Sequence, residues 1–436
     1  MGRFAVIGAG AAGLSATKLL LDAGHTVDCF EASDVPGGHW NTDYDALHLI
    51  TARDQTHFPD FPMPEEYPHF PSRAQVTAYI HSYADAFDLH RVIHYRTTVI
   101  SASPIAAPDG DPVGSAGWEV TTSRGHEGTY DGVLVANGHL REGRVPAAAE
   151  NFTGYQVHTG RYRNTDELAG NRVLVVGAGN SGCDMAVDVA QHRMECDIVV
   201  RHGVQFQPKM YFGVPRAMVP FLADFTPDEQ DLLNRLMARL SIGENSAYPG
   251  LPMPEAHTLA DGPTTVNDLL LYWIQHGRVT VRPAIERIED RTVHFSDGTS
   301  KEYDSIIWAT GFHTSLPFLA TDLMRWESGS PVRYAGGILP ENVEKLYFVG
   351  LIAPRGPQIP VYGEQTRRIL RMIDLHDRSG DSPLPLSSYF QKVQDPETRI
   401  DVVRNLWNSA MADTDTHLRS LEALDALNLP QDGATP

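Results

Sequence analysis

Cysteine is scarce in this chain: its 436 residues include only three, Cys29, Cys183 and Cys196. The three lie far apart and form no C-x-x-C pair, which excludes a disulfide scaffold, a thiolate zinc site and a redox-active dithiol. The 19 histidines do not indicate a metal either. His90 and His94 are four residues apart, but no glutamate stands beside the first, and the sequence after them favours a strand. We therefore expect no metal, and a reducing cytoplasm suits the three thiols.

Long hydrophobic runs are also absent. No window approaches the roughly 18 consecutive apolar residues that a membrane span needs, and the first apolar run, Phe4 to Ile7, is too short for a signal sequence. Basic residues are outnumbered, because 35 Lys and Arg against 55 Asp and Glu leave a formal charge of −20. Such a surface repels phosphate backbones and anionic lipids, so we expect neither nucleic acid nor membrane among the partners. These features predict a cytoplasmic globular protein of two or three domains.

Glycine, by contrast, follows a definite pattern near the amino terminus. The spacing G-x-G-x-x-G is formed by Gly8, Gly10 and Gly13. An apolar strand over residues 3–7 precedes it, a helix is predicted from Ala11 to Ala23, and a second strand over residues 26–30 ends on Glu31. The three glycines permit a tight turn, the approach of a pyrophosphate to backbone N–H groups, and close packing of helix on strand. Because the acid can accept hydrogen bonds from a ribose, this unit predicts an FAD site.

The same unit recurs later in the chain. A strand over residues 172–176 precedes a second glycine loop, a helix is predicted from Cys183 to Gln191, and the next strand covers residues 197–200. The loop positions expected to bind are Gly177, Gly179, Asn180, Ser181 and Gly182. This strand is followed by Arg201 and His202 rather than by an acid. Since arginine can pair with a 2′-phosphate that an acid would repel, the second site is predicted to bind NADPH, with NADH as a less favoured donor.

Two further apolar strands run into glycine turns, over residues 132–138 and 305–311, one just before the second unit and one just after it. This order predicts an α/β fold with two Rossmann-like dinucleotide-binding domains, the NADP domain being inserted into a discontinuous FAD domain. The expected boundaries are residues 1–164 for the first part of the FAD domain, 165–305 for the NADP domain, and 306–436 for the second part with a helical tail. The proline-rich loop 58–71 is long enough to suggest that it covers a site.

A motif between the two glycine loops carries a resemblance to a known family. The segment Phe152-Thr-Gly154-Tyr-Gln-Val-His158-Thr-Gly-Arg-Tyr162 fills every fixed position of F-x-G-x-x-x-H-x-x-x-[Y/F] and resembles the identifying motif of the flavin-containing monooxygenases. Similar pieces follow in family order, namely Gly37-Gly38-His39-Trp40, Asp60-Phe-Pro-Met-Pro, Ala309-Thr310-Gly311-Phe312 and Leu346-Tyr-Phe-Val-Gly350. The resemblance covers residues 3 to 370, which is most of the chain.

The resemblance implies an NADPH-dependent flavin monooxygenase that uses FAD, O2 and a small-molecule substrate, and dimers are common in enzymes of this kind. In that family reduced FAD reacts with O2 to give a C4a-hydroperoxyflavin, whose distal oxygen passes to a soft nucleophile such as an amine nitrogen or a thioether sulfur. Tyr162 at the end of the motif, rather than a tryptophan, favours this N- and S-oxygenating branch over the Baeyer–Villiger branch. Baeyer–Villiger oxygenation of a ketone, and an uncoupled NADPH oxidase or redox flavoprotein, remain as alternatives.

The glycine loops and the resemblance together define the candidate site residues. Those expected at FAD are Gly8, Gly10, Ala11, Ala12, Gly13, Glu31, Gly38, His39, Trp40, Thr51, Val99 and Gln358. Those expected at NADP are Gly177, Gly179, Asn180, Ser181, Gly182, Arg201, His202, Thr310 and Gly311. Ile50, Thr51 and His158 are expected at the catalytic centre, with a mainly structural role for His158. Ile50 is a departure, because many members carry an asparagine there whose amide contacts the flavin and NADP⁺; its loss predicts a short-lived oxygen adduct and appreciable release of hydrogen peroxide.

Overall fold

The computed structural model describes residues 1–106, 112–125, 127–379 and 385–428. Within these ranges the α-helices are α1 (Ala11–Asp22), α2 (Arg73–Ala86), α3 (Asn180–Gln191), α4 (Pro227–Ile242), α5 (Leu269–Gln275), α6 (Ile359–Ser379), α7 (Leu386–Val393) and α8 (Arg404–Asn428). The strands up to residue 143 are β1 (Arg3–Ile7), β2 (Thr26–Phe30), β3 (Ile93–His94), β4 (Val99–Pro104), β5 (Trp118–Thr122), β6 (Glu127–Tyr130), β7 (Gly132–Val135) and β8 (Glu142–Gly143). Those up to residue 308 are β9 (Tyr155–His158), β10 (Arg172–Val176), β11 (Glu195–Val199), β12 (Gln205–Gln207), β13 (Met210–Tyr211), β14 (Val214–Pro215), β15 (Thr264–Val266), β16 (Val279–Arg282), β17 (Ile285–Glu289), β18 (Thr292–Phe295), β19 (Ser300–Glu302) and β20 (Ser305–Trp308). The remainder are β21 (Phe312–His313), β22 (Trp326–Glu327), β23 (Ser330–Pro331), β24 (Arg333–Tyr334), β25 (Leu339–Pro340), β26 (Leu346–Phe348), β27 (Ala353–Pro354) and β28 (Asp401–Val402).

The first unit is built on a parallel five-stranded sheet in the order β26-β7-β1-β2-β3. Strand β1 is buried from Phe4 onward and β7 along its whole length, as expected where both faces of a parallel sheet are covered. Helices α1 and α6 pack together, and Leu14, Leu20 and Ile369 belong to one core. Trp407 of the helical tail is buried in that same core, so α8 packs on this unit.

The second unit repeats this design with a parallel sheet in the order β16-β11-β10-β20-β9. Helices α3 and α5 pack beside it, and Met185 and Leu270 lie in its core. The chain leaves the first sheet after β7, forms the second sheet and returns to the first with β26. The prediction of two Rossmann-like α/β units, one inserted into the other, is therefore confirmed.

The second sheet includes strand residues outside the boundaries expected for the NADP domain. Strands β9 and β20 pair in parallel, from Tyr155 with Ser305 to His158 with Trp308, and β20 pairs with β10. Most of these residues lie outside the interval 165–305 expected for the NADP domain. Strand β9 alternates polar and apolar residues, as is typical of an edge strand. In the sequence alone, without its partner strand, this short segment resembles a linker.

A long loop of the first unit, residues 38–72, contacts the second unit. The backbone N–H of Asp45 donates to the Arg163 carbonyl at 2.9 Å. Tyr44 is 5% exposed and lies in the hydrophobic core of the second unit, where its hydroxyl donates to Asp184 Oδ2 at 2.8 Å. None of the helices in the described ranges has an apolar stretch long enough to span a membrane.

Candidate active site

The first glycine turn is required by its own geometry. Gly8 has φ +101°, and a Cβ on Gly13 would lie 1.8 Å from the Gly8 carbonyl oxygen. A Cβ on Gly10, by contrast, would have no nearer neighbour than Gly38 Cα at 3.7 Å. Gly8 and Gly13 are therefore glycines because the fold needs them, whereas Gly10 keeps open a space that a side chain would fill.

Helix α1 begins beside that space. Gly10 is its extended N-cap residue, and none of the described side chains caps the helix, so the N–H groups of Ala11 and Ala12 stay open. Open N–H groups at a helix N-terminus favour an anion, and the free space above Gly10 admits one. The turn therefore fits the pyrophosphate of FAD.

Glu31 follows β2 and is 8% exposed. Its Oε2 accepts the Ala9 N–H at 2.8 Å, and its Oε1 accepts the Ser33 N–H and hydroxyl, each at 2.8 Å. A carboxylate offers about four acceptor positions, so capacity remains for a ribose hydroxyl. These contacts hold the acid rigidly against the glycine turn.

The second glycine turn has the same construction. Gly177 has φ +113°, and a Cβ on it would lie 2.4 Å from the Ala309 carbonyl oxygen; one on Gly182 would lie 2.0 Å from the Gly177 oxygen. No atom of the described residues comes within 4 Å of a Cβ built at Gly179. The site thus fits a second dinucleotide, with Gly179 keeping its phosphates close to the backbone.

Helix α3 starts earlier than predicted, at Asn180 rather than at Cys183. Asn180 Oδ1 accepts the Val266 N–H at 2.8 Å, so this side chain braces the turn against β15. The predicted start of α3 was wrong. The contact of Asn180 with Val266 joins residues 86 positions apart, and the local sequence does not record it. Ser181 and Gly182 thereby lie in the first turn of the helix.

Arg201 and His202 lie two and three residues beyond β11 and are exposed. Neither side chain has a hydrogen bond or an ion pair to another residue in the part of the chain that the structure describes. The geometry leaves Arg201 accessible to a phosphate bound at the second glycine turn.

His158 of the family-like motif is 8% exposed, and both ring nitrogens are engaged. Nδ1 accepts the Gly160 N–H at 3.1 Å, and Nε2 then donates to the Gly311 carbonyl at 3.0 Å. Burial lowers the pKa of His158, which keeps the ring neutral at physiological pH. The side chain holds the turn of Thr310 and Gly311 in place, and Phe312 packs edge-on against it at 4.9 Å between ring centroids.

The other fixed positions of the motif join β9 to the rest of the second unit. A Cβ on Gly154 would lie 2.6 Å from the ring of Phe152. Tyr162 is fully buried, and its hydroxyl donates to Asp188 Oδ2 of α3 at 2.7 Å. Burial raises the pKa of Tyr162, so the phenol remains a donor. The motif therefore braces the helix that starts at the second glycine turn.

The segment Gly37-Gly38-His39-Trp40 lies against the first glycine turn. Gly38 has φ +62°, and a Cβ on it would lie 3.2 Å from Gly10 Cα. His39 pairs with Asp43 at 2.5 Å, while Trp40 is partly buried and accepts, through its carbonyl, the hydroxyl of Thr77 at 2.9 Å. The structure thus brings these residues to the place expected for FAD.

Ile50 and Thr51 are half-buried in the loop that reaches the second unit. The hydroxyl of Thr51 bonds to that of Thr56 at 2.6 Å, and Thr56 is 3% exposed. A partly buried hydroxyl pair therefore lies one residue from Ile50, whose own side chain offers no donor.

Val99 and Gln358, two further residues expected at FAD, have different surroundings. Val99 is 6% exposed and lies two residues after Thr97, whose N–H donates to the Glu31 carbonyl at 2.8 Å. The Gln358 amide donates to Pro354 at 2.6 Å and to Gly356 at 2.8 Å, so its nitrogen is engaged by its own loop.

His139 lies close to His39 of the first site, and the sequence patterns did not reveal it. It follows β7 by four residues, beside the backbone of Gly350 and near His39, and burial lowers its pKa to about 4. A polar residue just past the carboxyl end of a parallel strand was the available signal.

The structure has two parallel sheets, one glycine turn held by a buried acid, and a second glycine turn open to an arginine. Together these features define a class of protein. In this class a nicotinamide coenzyme reduces a bound FAD.

Comparison with known proteins places the chain within that class. The family described as FMO-like, flavin-binding monooxygenase-like, matches residues 1–385. Dimethylaniline monooxygenase (N-oxide-forming) 2 of Macaca mulatta is 31% identical in an alignment over 397 residues, gaps included, that covers 85% of this chain and 73% of that protein. Flavin-containing monooxygenase 5 of Oryctolagus cuniculus is 31% identical in an alignment over 393 residues that covers 84% of this chain and 72% of that protein.

Solved structures share the fold. The open crystal structure of cyclohexanone monooxygenase superposes with a TM-score of 0.69 at 19% identity, covering 95% of this chain and 98% of that one. A variant of the flavin monooxygenase from Stenotrophomonas maltophilia gives a TM-score of 0.63 at 23% identity, covering 84% and 95%. The chain belongs to the flavin-binding monooxygenase-like family. It is an NADPH-dependent flavin monooxygenase with FAD and NADP as cofactors, as the sequence predicted.

Proposed function

We propose that this monooxygenase transfers one oxygen atom of O2 to a soft nucleophile, an amine nitrogen or a thioether sulfur of a small molecule. For a thioether, the balanced reaction consumes one thioether, one O2, one NADPH and one proton, and it yields one sulfoxide, one NADP⁺ and one water. The O–O bond breaks, one oxygen forms the S–O bond, and the other leaves as water with the hydride of NADPH and a proton. Bound FAD supplies the transfer of electrons from the coenzyme to O2.

The observation that carries this proposal is the complete F-x-G-x-x-x-H-x-x-x-Y motif and its contacts. His158 and Tyr162 connect the motif to the Thr310–Gly311 turn and to α3, both of which adjoin the second glycine turn. The name of the Macaca mulatta relative, an N-oxide-forming enzyme, supports nitrogen as one acceptor.

In this proposal each glycine turn has a separate task. The N–H groups of Ala11 and Ala12 hold the FAD pyrophosphate, and Glu31 accepts the ribose hydroxyls. Arg201 pairs with the 2′-phosphate of NADPH, and His158 keeps the intervening turn in place. The loop that carries Ile50 and Thr51 excludes water from the reacting oxygen, since water would favour loss of peroxide.

Baeyer–Villiger oxygenation of a ketone is the second candidate. One experiment separates it from oxygen transfer to an amine or a thioether. The FAD-loaded enzyme receives NADPH, O2 and either methyl phenyl sulfide or cyclohexanone, and the products are identified by mass spectrometry. We expect the sulfoxide and little lactone. Lactone as the main product would overturn the proposal, and NADPH consumption that yields only hydrogen peroxide would indicate an uncoupled oxidase.

We also propose that the enzyme works as a homodimer in the cytoplasm. Light scattering on the FAD-loaded protein measures the mass directly, and a mass of one chain, 48.0 kDa, would contradict the dimer.

A further inference from the structure

Helix α4 of the second unit carries a row of leucines on its exposed face. Leu232, Leu236 and Leu240 are 57%, 48% and 76% exposed. Residues four apart lie one above the other on a helix, so these three form a continuous stripe, the leucine stripe. Another side of α4 already packs within the chain, because Met237 and Ala238 are buried in a small core with Tyr211 of β13. The leucine stripe is therefore not what attaches α4 to the second unit.

Aromatic side chains lie in the same segment. Phe212, Phe221 and Phe225 are 76%, 43% and 39% exposed, and the described ranges hold no other phenylalanine this exposed. Phe212 stands at the tip of the β13–β14 hairpin with φ +53°, a conformation that a bulky residue rarely adopts. This hairpin lies against α4, since the Tyr211 hydroxyl donates to the Asn234 carbonyl at 3.1 Å. An apolar surface of this kind, within residues 212–240, is typical of a site where a partner binds.

The charges beside the leucine stripe are ordered along the helix. Among the exposed residues of α4, Asp228 and Glu229 lie in the first turn and Arg239 in the last. Glu229 Oε2 accepts the Thr226 N–H and hydroxyl, each at 2.8 Å, and no donor among the described residues binds its Oε1. Arg239 pairs with Glu244 at 3.1 Å, but both side chains are exposed, and such a pair is worth little. One end of this face is thus acidic and the other end basic.

That order of charges makes the face complementary to itself. When two copies of α4 run antiparallel, the acidic end of each meets the basic end of the other. With the two-fold axis level with Asn234, Leu232 of one copy lies beside Leu236 of the other. An interface between identical chains related by a two-fold axis has to match itself in this way.

The net charge of the chain also favours this place for a second copy. Residues 212–240 contain three basic and four acidic residues, whereas the whole chain has a formal charge of −20. Two copies therefore repel each other less at this face than over the rest of their surfaces.

We infer that the exposed face of α4 is the homodimer interface, with a second copy of this chain packed antiparallel on the leucine stripe; this rests on the homodimer proposed above and adds the surface through which it forms. The leucines supply the apolar centre of the interface, and Glu229 and Arg239 belong to its charged rim. A standard interface takes about 800 Å² from each chain. One helix face provides less than that, so the hairpin tip with Phe212 belongs to the interface as well.

Light scattering on a dilution series of the FAD-loaded protein measures the Kd of the dimer. Leu236→Glu should raise this Kd about hundredfold, because the two-fold axis places the new carboxylate in the interface twice. Leu236→Met keeps an apolar side chain and should retain the native Kd. Arg239→Glu makes both ends of the face acidic and should raise the Kd about tenfold. Leu406→Glu on α8 is the matched control, since Leu406 is 69% exposed on a helix that packs on the first unit; it should leave the Kd unchanged.

Cross-linking tests the antiparallel arrangement directly. All three native cysteines are buried, so a short reagent with two maleimide groups reacts at an introduced cysteine. Leu236→Cys should give a covalent dimer of twice the 48.0 kDa of one chain on a denaturing gel. Leu406→Cys should run as a single chain.

The possible results separate this interface from the homodimer and from the proposed reaction. A dimer that persists in Leu236→Glu, without a cross-link through Leu236→Cys, would overturn the inference and leave the homodimer intact. A native protein that stays a single chain at every concentration would contradict both, while the oxidation of methyl phenyl sulfide is measured independently. Equal dissociation of Leu406→Glu would also contradict the assignment to α4. Sedimentation of the native protein with phosphatidylcholine vesicles, lost in Leu236→Glu at an unchanged mass, would assign the face to a lipid surface and overturn the inference.

Discussion

Single side chains at the site are held mainly by the backbone. Glu31 accepts three hydrogen bonds from Ala9 and Ser33, and both ring nitrogens of His158 bond to main-chain groups. Such contacts fix orientation before a ligand arrives, so the loss of one side chain affects both the binding of a cofactor and the local structure.

Glu31→Arg should lower the FAD content of the purified protein. The change removes an acceptor from the Ala9 N–H and places a cation where ribose hydroxyls need acceptors, which costs roughly 1.5–3 kcal/mol, or ten- to hundredfold in Kd. The ratio of absorbance at flavin and protein wavelengths reports occupancy. Glu286→Arg on an exposed position of β17 is the control. Stoichiometric FMN in the native protein would contradict the assignment of this site.

Arg201→Ala should damage the use of NADPH and nearly spare that of NADH. The pair with the 2′-phosphate is worth roughly 1.5–3 kcal/mol, which corresponds to ten- to hundredfold in kcat/KM. Steady-state kinetics with both coenzymes measure the ratio, and NADH serves as the internal control. Equal losses with the two coenzymes would show that Arg201 does not meet the phosphate.

Ile50→Asn should lower the hydrogen peroxide released per NADPH consumed. The amide adds a donor beside the hydroxyl pair of Thr51 and Thr56, and satisfying a buried oxygen there is worth roughly 1–3 kcal/mol. A peroxide assay run alongside NADPH oxidation gives the ratio, and Ile50→Leu controls for a change of shape. A native enzyme that releases almost no peroxide would mean that other groups already supply the contacts.

At the scale of an element, the two glycine turns show that one motif contains two kinds of glycine. Gly177 and Gly182 are required by close backbone contacts, whereas no close contact requires Gly179, which the proposal places at the phosphates of the coenzyme. Gly182 lies in the first turn of α3, and Gly177 and Gly179 lie just before that helix. Substitutions at these glycines can therefore separate an effect on stability from an effect on binding.

Gly179→Ala and Gly182→Ala should therefore fail in different ways. The first adds a methyl group in open space, so the melting temperature should hold while the Kd of NADP⁺ rises about tenfold. The second drives a methyl group to 2.0 Å from the Gly177 oxygen, and overpacking of this kind costs about 1–3 kcal/mol of unfolding free energy. Thermal melts and calorimetry on both variants measure the contrast. Similar melting temperatures with similar Kd values would contradict it.

At the scale of the whole molecule, the two units are joined by a loop of the first that enters the core of the second. Tyr44 is the centre of this contact, because its ring packs with the second core and its hydroxyl meets Asp184. Burial raises the pKa of both groups, which keeps the phenol protonated. The loop also carries Ile50, so this contact positions Ile50 relative to α3.

Tyr44→Phe should weaken this connection without emptying the core. The ring remains, but a buried carboxylate loses a donor, which costs about 1–3 kcal/mol. Chemical denaturation gives the loss of unfolding free energy, and the peroxide released per NADPH should rise because the loop that carries Ile50 is held less firmly. Tyr272→Phe is the control, since Tyr272 on α5 is 50% exposed. Unchanged stability and unchanged peroxide release would show that the hydroxyl contributes nothing.

The sequence by itself determined the architecture and the cofactors. Strands such as 3–7, 26–30 and 172–176 are short apolar runs next to glycine turns, and these signals are local, because a turn and its flanking elements lie within about 30 residues. The family-like motif added the reaction class. Only the tertiary structure decided which distant side chains meet: Tyr44 with Asp184, Asn180 with Val266, and His158 with Gly311. These contacts depend on packing between segments far apart in the chain, and no periodicity or spacing records such packing.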